Sequence, residues 1–412
     1  MVKYPNDWKT YPFKQFFKLI PNNTLSRDKL SNSGTIGNIH YGDVLIKYGD
    51  TISNEDTIPR VREGIGFVAN NLLQKNDVVI ADTAEDETVG KVSQIGEVSI
   101  PLVGGLHTVV CRPYVETADG YLGCYMNSRY YHDQLLPYIT GIKVSSVSKK
   151  SLNETELTIP ADIDEQREII AVFRDIDEHI ANLSALIQKK KDIRDGALED
   201  LMSGRTRLSG FTGERSEKEL CALALILNGD RGINYPSEDA FTSFGIPFVN
   251  AGHLENGKIN WKEMNYISEE RYRLLGGGKI QRGDILFCLR GSLGKYALAD
   301  FSGGAPASSL CIIRAKENTF AEFLSYVMAS STMKNSIELT NTGSSQPNLS
   351  AKDISQYVFN TPDDINEQIA IAEVLKSMDE EIEALETERD KMIQIREGAM
   401  DDLLTGRVRL SV

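Results

Sequence analysis

The chain contains one long segment written twice. Residues 159–208 and 361–410 align without a gap at a fixed offset of 202, and about 22 of the 50 aligned positions are identical. The first copy opens IPADIDEQREII and closes IRDGALEDLMSGRTRL, and the second opens TPDDINEQIAIA and closes IREGAMDDLLTGRVRL. A duplication on this scale predicts a molecule with two similar halves. Such a molecule is suited to bind something that itself has two halves.

Each copy of the segment is predicted to form one long α-helix. Proline and aspartate mark both starts, and Gly204 and Gly406 mark both ends. Apolar residues recur at steps of three and four, a heptad pattern that requires a partner helix. The predicted pairing residues are Ile169, Phe173, Ile176, Ile180 and Leu183 in the first copy, and Ile371, Leu375, Met378, Ile382 and Leu385 in the second. We expect an antiparallel pair, a rod of about 37 residues and roughly 55 Å. The alternative is that each helix packs only on its own globular domain.

The composition is that of a globular protein of two or three domains. Five cysteines, without C-x-x-C spacing, favour a reducing cytoplasm and argue against a disulfide or zinc site. No apolar stretch is long enough to predict a membrane span, and the start of the chain does not resemble a signal peptide. The net charge of −14 comes mostly from the repeated segments, which carry 11 and 14 acidic side chains against 8 and 6 basic ones. The remaining regions are nearly neutral, so they can still present a basic face to nucleic acid.

We predict four regions with an α+β fold: globular domains at 1–158 and 210–360, and helical segments at 159–209 and 361–412. The globular regions share a pattern of a basic residue, a turn, an aspartate, a buried strand, a polar loop, Gly-Lys and another strand. This pattern is LLQKNDVVIADTAEDETVGKVSQI in the first region and KIQRGDILFCLRGSLGKYAL in the second. A later strand ends in arginine in both, as HTVVCRP and SLCIIRA, and a polar loop follows, as TGIKVSSVS and NTGSSQPNLS. The duplication therefore covers a globular domain together with its helix.

This order of domains and helices resembles the specificity subunit of a type I restriction-modification system along the whole chain. The likeness is carried by the GSSQPNLS loop, the DINEQ helix start and the ADTAEDETVGK segment. The first region departs from the family in its polar loop, which lacks the Gln-Pro-Asn of the second.

The resemblance implies two target recognition domains separated by an antiparallel pair of long coiled-coil helices, with a pseudo-twofold relation from the internal duplication. Each domain would read one half of a bipartite site in double-stranded DNA. The helices would set the spacer between the half-sites and dock two adenine methyltransferase subunits, and restriction-translocation subunits would join the assembly. No cofactor is expected on this chain, because S-adenosylmethionine and ATP would bind the partner subunits. No membrane partner is expected.

Motifs for catalysis are not found in the sequence. An adenine methyltransferase needs Asn/Asp-Pro-Pro-aromatic, and none of the 13 prolines is adjacent to another. The Gly-Lys pairs at 90–91 and 294–295 lack the upstream glycine of a phosphate-binding loop. The histidines lack metal-ligand spacing, and the acidic run at 82–87 is more typical of a solvated loop than of a cation site. We therefore expect a non-catalytic protein without a metal site.

Loop residues of the types that read base edges or bind phosphates are the candidate DNA contacts. In the second region they are Arg290, Ser292, Lys295, Ser344, Ser345, Gln346 and Asn348. In the first region they are Thr83, Glu85, Asp86, Lys91, Lys143, Ser145 and Ser146. Arg62, Arg112, Arg271 and Arg273 are candidates for phosphate contacts. For each of these residues the alternative is an ordinary turn or a solvated charge.

Three kinds of function are the alternatives for such a chain. A non-catalytic DNA-recognition subunit explains why two divergent halves keep paired polar loops with different side chains. A coiled-coil scaffold with protein-binding globular ends explains the helices but not the loops. A self-contained nuclease or methyltransferase would need the motifs that the sequence lacks.

Overall fold

The chain forms two compact units, and each long helix contributes residues to both. The computed structural model describes residues 3–66, 71–141, 143–340 and 348–410. Unit 1 consists of Met1–Ser184 and Glu388–Val412, and unit 2 consists of Ala185–Thr387. The fold is α+β, with the sheets in the globular parts and the long helices between and after them.

The first half of the chain supplies the sheets of unit 1. Its strands are β1 (Trp8–Pro12), β2 (Phe17–Ile20), β3 (Leu30–Ser31), β4 (Gly37–Ile39), β5 (Thr51–Ile52), β6 (Arg60–Val61), β7 (Val78–Ala81), β8 (Thr83–Ala84), β9 (Val92–Ile95), β10 (Leu102–Gly104), β11 (Thr108–Pro113), β12 (Ser145–Ser146) and β13 (Glu156–Pro160). Its helices are α1 (Phe13–Phe16), α2 (Tyr41–Ile46), α3 (Tyr121–Asn127), α4 (Arg129–His132), α5 (Lys149–Leu152) and the long α6 (Ile163–Ser203). The largest sheet has the order β2-β11-β7-β9-β5, beside a four-stranded sheet β10-β4-β6-β3 and the pairs β1-β13 and β12-β8.

The second half repeats this plan in unit 2. Its strands are β14 (Arg215–Glu219), β15 (Ala224–Asn228), β16 (Ile246–Val249), β17 (Leu254–Glu255), β18 (Lys258–Ile259), β19 (Asn265–Ile267), β20 (Ile285–Cys288), β21 (Tyr296–Leu298), β22 (Ala305–Pro306), β23 (Leu310–Ala315) and β24 (Val358–Pro362). Its helices are α7 (Leu220–Leu223), α8 (Glu269–Leu274), α9 (Ala321–Ala329), α10 (Ser331–Thr340), α11 (Ala351–Ser355) and the long α12 (Ile365–Leu403). The main sheet has the order β15-β23-β20-β21, with β19-β16-β22, β14-β24 and β17-β18 as smaller sheets.

The duplication predicted from the sequence is visible in strand register. Trp8 pairs with Pro160 in unit 1, and Arg215 pairs with Pro362 in unit 2, so each unit is closed by an equivalent antiparallel pair before its helix. Both main sheets are built around one fully buried four-residue strand, β7 or β20. A continuous apolar run of this length is typical of a strand covered on both faces.

A buried ion pair also recurs in both main sheets. Arg112 donates to both carboxylate oxygens of Asp77, at 2.8 and 2.7 Å, and Arg314 does the same to Asp284, at 2.7 and 2.8 Å. These hydrogen bonds raise the pKa of both guanidinium groups. Asp77 and Asp284 are almost fully buried, so each arginine is needed to neutralise an internal carboxylate.

Both long helices begin and end beside the residues that the sequence marks, and with 41 and 39 residues they are slightly longer than the predicted length of about 37 residues. Asp162 accepts from the backbone N–H of Asp164, and Asp364 accepts from that of Asn366, each at 2.9 Å, as side-chain caps of the first turn. Gly204 and Gly406 follow the last turns with φ of +77° and +68°. This left-handed conformation favours glycine and ends a helix.

The glutamine of each EQ pair fixes its helix to the sheet of the same unit. Gln166 donates to the Pro160 carbonyl and accepts from the Ala118 N–H, both at 2.9 Å. Gln368 makes the matching bonds with Pro362 and the Phe320 N–H, also at 2.9 Å. Both glutamines are buried, so the bonds satisfy amides that would otherwise lack partners.

Within each unit the two long helices run antiparallel, as predicted. In unit 1, Asp177 pairs with Arg396 and His179 lies 3.6 Å from Glu388. In unit 2, Lys190 pairs with Glu381, Lys191 with Glu386 and Arg194 with Asp379.

The predicted pairing residues divide between two environments. Leu183 and Ile382 are buried along the helices, whereas Ile176, Ile180, Met378 and Leu385 are half-buried. Ile169 and Phe173 belong to the hydrophobic core of unit 1, together with Leu403 and Leu404 from the end of the other helix. Ile371 and Leu375 lie in the core of unit 2, together with Leu198, Leu201 and Met202. The start of each long helix therefore packs on its own globular domain, in addition to the pairing between the two helices.

Candidate nucleic-acid interface

Each unit presents a loop corner beside its main sheet, and the two corners share one backbone frame. Corner 1 comprises Asp82, Thr83, His107, Ser146 and Val147. The Asp82 N–H donates to the His107 carbonyl at 3.1 Å, and the Val147 N–H donates to the Asp82 carbonyl at 2.9 Å. Thr83 and Ser146 are partners in the β8–β12 pair. The end of β7, the start of β11 and the polar loop are thereby held together.

Corner 2 comprises Leu289, Arg290, Ser309, Asn348 and Leu349. The Leu289 N–H donates to the Ser309 carbonyl at 2.8 Å, and the Leu349 N–H donates to the Leu289 carbonyl at 2.9 Å. Arg290 and Asn348 form the antiparallel bridge that corresponds to Thr83 and Ser146. The three contacts of corner 1 therefore recur in corner 2.

The segment after each corner also repeats. Ser148 accepts from the Ser151 N–H at 3.0 Å and caps α5, and Ser350 accepts from the Asp353 N–H at 3.1 Å and caps α11. The serine side chains satisfy N–H groups that a helix start leaves without partners.

The side chains of the two corners differ in chemistry. Corner 1 lines a polar cavity of about 350 Å³. Its lining residues are Asp82, Thr83, His107, Tyr138, Thr140, Ser146, Val147, Ser148 and Ser151. In corner 2 the exposed Arg290 guanidinium donates from Nε to the Asn348 Oδ1 at 3.0 Å. Corner 1 thus offers a carboxylate, an imidazole and hydroxyls, whereas corner 2 offers a guanidinium oriented by an amide.

Several residues singled out from the sequence lie in or beside the corners. Thr83, Ser145 and Ser146 form the β8–β12 pair of unit 1, and Arg290 and Asn348 form the bridge of unit 2. Lys143 is exposed next to β12, and Ser292 is exposed two residues after Arg290. Ser344, Ser345 and Gln346 lie outside the described residues.

Two of the side chains predicted to contact DNA are hydrogen-bonded to other groups of the protein. The Arg112 guanidinium is bound to buried Asp77, and the Lys91 ammonium donates to the Leu45 carbonyl at 2.9 Å. Burial lowers the pKa of Lys91. We therefore remove Arg112 and Lys91 from the proposed DNA contacts.

The other predicted residues lie outside the corners. Glu85 and Asp86 are exposed, and Asp86 accepts from the Thr88 hydroxyl and N–H, which lowers its pKa. Arg62 donates to the Leu30 carbonyl at 2.9 Å, Arg271 lies 3.5 Å from the Asn234 carbonyl, and Arg273 pairs with Glu269 on α8.

Lys295 faces a different feature, a groove of about 1190 Å³ within unit 2. The groove is also lined by Lys191 and Arg194 of α6 and by Asp379 and Glu386 of α12. Lys295 is therefore directed toward the helical part of its unit.

Sequence reasoning missed His107, Asp82 and Ser309 as corner residues. A signal was present, because His107 and Ser309 stand at the same offset of 202 as the repeated helices and immediately precede the matched strands β11 and β23. It also missed Lys150 and Lys352, two exposed lysines at that offset on α5 and α11.

Among the described residues, no group of three or more His, Cys, Asp or Glu side chains is arranged to hold a metal ion. Within the same described ranges, no helix has the length and apolar character needed to cross a membrane.

The chain matches a family model over residues 5–191 and 231–394, and that model describes the type I restriction modification DNA specificity domain. Among curated proteins it is 23% identical over 435 residues to the putative type I restriction enzyme MjaX specificity subunit of Methanocaldococcus jannaschii, covering 98% of this chain and 95% of that protein. It is 24% identical over 283 residues to the MjaVIII specificity subunit of the same organism, covering 66% of each.

Solved structures show the same fold at low sequence identity. The S subunit of a type I restriction-modification system from M. genitalium superposes with a TM-score of 0.59 and 16% identity over 100% of this chain and 99% of that one. The HsdS subunit from Thermoanaerobacter tengcongensis gives a TM-score of 0.51 and 14% identity over 98% of both chains. Since the family model covers most of the sequence, in both halves, the chain belongs to the type I restriction modification DNA specificity family.

Proposed function

We propose that each unit of this specificity subunit reads one half of a bipartite target in double-stranded DNA, and that corners 1 and 2 supply the base contacts. The observation that carries the proposal is that one backbone frame recurs in both units with different polar side chains. Two domains that recognise different half-sites need the same backbone scaffold but different base-contacting side chains. A structural role alone would not require the side chains to differ in chemistry.

In corner 2, Arg290 is the side chain best suited to read a base. A guanidinium can donate two hydrogen bonds to O6 and N7 of guanine in the major groove. Asn348 holds Nε at 3.0 Å, so the fork is oriented before DNA binds, and no hydrogen bond from the terminal nitrogens to a described residue competes with a base.

Matched lysines beside the corners are suited to bind the phosphates. Lys150 on α5 and Lys352 on α11 are exposed and stand at the repeat offset of 202. Phosphate contacts fix the position of a protein on the duplex and carry no base information. We therefore propose that these lysines increase the affinity for DNA without contributing to base specificity. The neighbouring Lys143 is proposed for the same role.

The helical segments at 159–209 and 361–412 are proposed to set the spacing between the half-sites read by domains 1–158 and 210–360. They are also proposed to dock two methyltransferase subunits, and restriction-translocation subunits join that complex in the cytoplasm. A structural relative is described in terms of complex assembly and conformational transition of the type I system, which supports an assembled state. S-adenosylmethionine and ATP would then be used by the partners.

Substitution of Arg290 tests the proposal in the complex reconstituted with the methyltransferase subunits. Loss of a bidentate base contact costs about 1–3 kcal/mol and affects one position. We expect Arg290→Ala to make methylation permissive at one position of one half-site, mapped by sequencing methylated sites in a random DNA library. Lys262→Ala is the control, since Lys262 is an exposed lysine on a turn outside the corner.

An even loss of specificity across both half-sites would contradict the two-reader arrangement. If neither Arg290→Ala nor substitutions in corner 1 changed any base preference, the coiled-coil scaffold with protein-binding ends would be the better explanation.

A further inference from the structure

We infer that His107 and Asp82 form a base-reading pocket in corner 1 that accepts the exocyclic amino group of adenine or cytosine at the major-groove edge. The inference rests on the proposed function and adds to it a residue pair and a ligand chemistry. It is supported by the backbone conformation of His107, by the contacts of its side chain and by its position in corner 1.

The backbone of His107 is held in an unusual conformation. Its φ is +53°, in the left-handed region that residues other than glycine rarely adopt. The Asp82 N–H bonds to its carbonyl at 3.1 Å, and the Tyr41 ring packs edge-on against the imidazole, with centroids 5.2 Å apart. Strain of this kind persists where the surroundings fix it, and it is concentrated at functional sites. Here it directs the imidazole into the cavity of corner 1.

The contacts of the ring determine which nitrogen is left for a ligand. Nδ1 lies 3.3 Å from the Thr83 hydroxyl and 3.5 Å from Oδ1 of Asp82, and the Thr83 hydroxyl donates to the same Oδ1 at 2.8 Å. With a proton on Nδ1, the ring donates a hydrogen bond to the Thr83 hydroxyl oxygen, and the Thr83 hydroxyl donates its own hydrogen bond to the Asp82 carboxylate. In this tautomer Nε2 is an acceptor. The ring is about half exposed, with 47% of the side chain accessible.

Asp82 supplies a second acceptor in the same pocket. Its carboxylate is 27% exposed, and the described contacts of its side chain all use Oδ1. Asp82 Oδ2 and His107 Nε2 are thus two hydrogen-bond acceptors on residues that line the same cavity of about 350 Å³. In the major groove, amino donors are presented by N6 of adenine and N4 of cytosine, whereas guanine and thymine present carbonyl acceptors there. Two acceptors in one pocket favour the first pair of bases.

The equivalent positions of corner 2 lack this chemistry. Ser309 replaces His107, Leu289 replaces Asp82 and Arg290 replaces Thr83 in the same backbone frame. Leucine has no hydrogen-bonding group, a serine hydroxyl can donate or accept, and a guanidinium only donates, which suits the acceptor-rich edge of guanine. The two corners therefore select bases with opposite hydrogen-bonding patterns.

The pocket is tested with substitutions that are compatible with the backbone conformation at each position. His107→Asn removes the imidazole but suits the left-handed conformation, which asparagine tolerates. Asp82→Asn keeps the shape and converts an acceptor into a possible amide donor. Asp133→Asn is the matched control, because Asp133 is an exposed carboxylate in the globular part of the same unit, outside corner 1.

The measurement is the base preference at every target position, obtained by sequencing random-library DNA methylated by the reconstituted complex. We expect His107→Asn to lose roughly tenfold in discrimination at one position of one half-site, where the wild-type complex selects adenine or cytosine. We expect Asp82→Asn to admit guanine or thymine at that same position. Asp133→Asn should match the wild type.

Modified DNA then identifies the atom that is read. If the position is adenine, purine, which lacks the amino group, should lose binding, whereas 7-deazaadenine, which keeps it, should be tolerated. If the position is cytosine, 2-pyrimidinone should lose binding in the same way. Binding that depends on N7 and not on the amino group would overturn the pocket chemistry.

Failure of this inference is distinguishable from failure of the proposed function. If Arg290→Ala relaxes one half-site while His107→Asn and Asp82→Asn leave every preference unchanged, the pocket is refuted and the two-reader arrangement stands. The same holds if the corner 1 variants weaken methylation equally at all positions, since that is the result of a structural role. If neither corner affects base preference, the proposed function itself is refuted.

Discussion

At the scale of single residues, the arginine proposed for base recognition differs from the arginines that stabilise the fold. Arg290 is exposed and held by an amide, whereas Arg112 and Arg314 neutralise carboxylates that are almost fully buried. Residue type alone cannot distinguish these uses, because both kinds of arginine follow or end a buried strand. The difference depends on the partner that the fold brings to each guanidinium.

We predict that Arg314→Ala destabilises unit 2 and that Arg112→Ala destabilises unit 1. Removing one partner of a buried pair leaves an uncompensated charge and costs about 3–5 kcal/mol. Arg112 and Arg314 are about a quarter exposed, so the lower end of this range is expected. Hydrogen exchange should report the loss in β20 and β23 for Arg314→Ala and in β7 and β11 for Arg112→Ala. Arg62→Ala is the exposed control, and an equal loss of protection by Arg62→Ala would contradict the argument.

At the scale of elements, the end of each repeated segment is tied to the start of the other long helix. Arg207 donates to Glu367 at 3.1 and 2.5 Å in unit 2, and Arg409 donates to Glu165 at 2.7 Å in unit 1. Glu165 and Glu367 are almost fully buried. The glutamate of each EQ pair therefore binds its helix to the end of the other repeated segment, while the neighbouring glutamine binds the same helix to the sheet of its unit.

We predict that Arg207→Ala frays the first turns of α12, because it leaves the buried Glu367 carboxylate without its main partner. The double variant with Glu367→Gln should recover part of the lost stability, since the buried charge is then removed as well. Arg205→Ala is a matched control two residues away, where an exposed pair with Asp200 contributes at most about 1 kcal/mol. Thermal unfolding would measure all three, and equal effects of the two arginines would exclude a specific tie.

Sequence patterns predicted the repeated elements, whereas the contacts that individual side chains make inside the protein depend on the fold. Helix ends depend on local residues, so Asp162, Asp364, Gly204 and Gly406 could be read directly. The contact of the Lys91 ammonium with the carbonyl of Leu45 could not be predicted, because Leu45 is on a helix that the sequence does not place beside Lys91. His107 was missed because its frame is created by Asp82, which is distant in the chain and reaches it only through the fold.

At the scale of the whole molecule, the proposed recognition and spacing roles belong to different parts of the chain. The corners lie on the globular parts, and the continuous helices α6 and α12 connect those parts to the paired segments. Changing helix length should therefore alter spacing without altering either half-site.

We predict that inserting one heptad after Leu183 and one after Leu385 lengthens the spacer of the target. Both sites lie where the chain passes between the two units. Seven residues add about 10 Å at 1.5 Å per residue, roughly three base pairs. Methylome sequencing should find both half-sites preserved and further apart, and a single insertion, which disturbs the heptad register, is the control. An altered half-site sequence with an unchanged spacer would contradict the division of roles.

The composition of the two units has a consequence for protein synthesis. Unit 2 is continuous in sequence, so all its residues have been made once the ribosome has passed position 387. Unit 1 lacks Leu403 and Leu404 of its core, and the Arg409 contact with Asp7 and Glu165, until the closing residues have been added. The half that is translated first is therefore the half that is completed last. A prematurely terminated chain would carry a finished reader for one half-site only, and it would be exposed to proteolysis through the open core of the other unit.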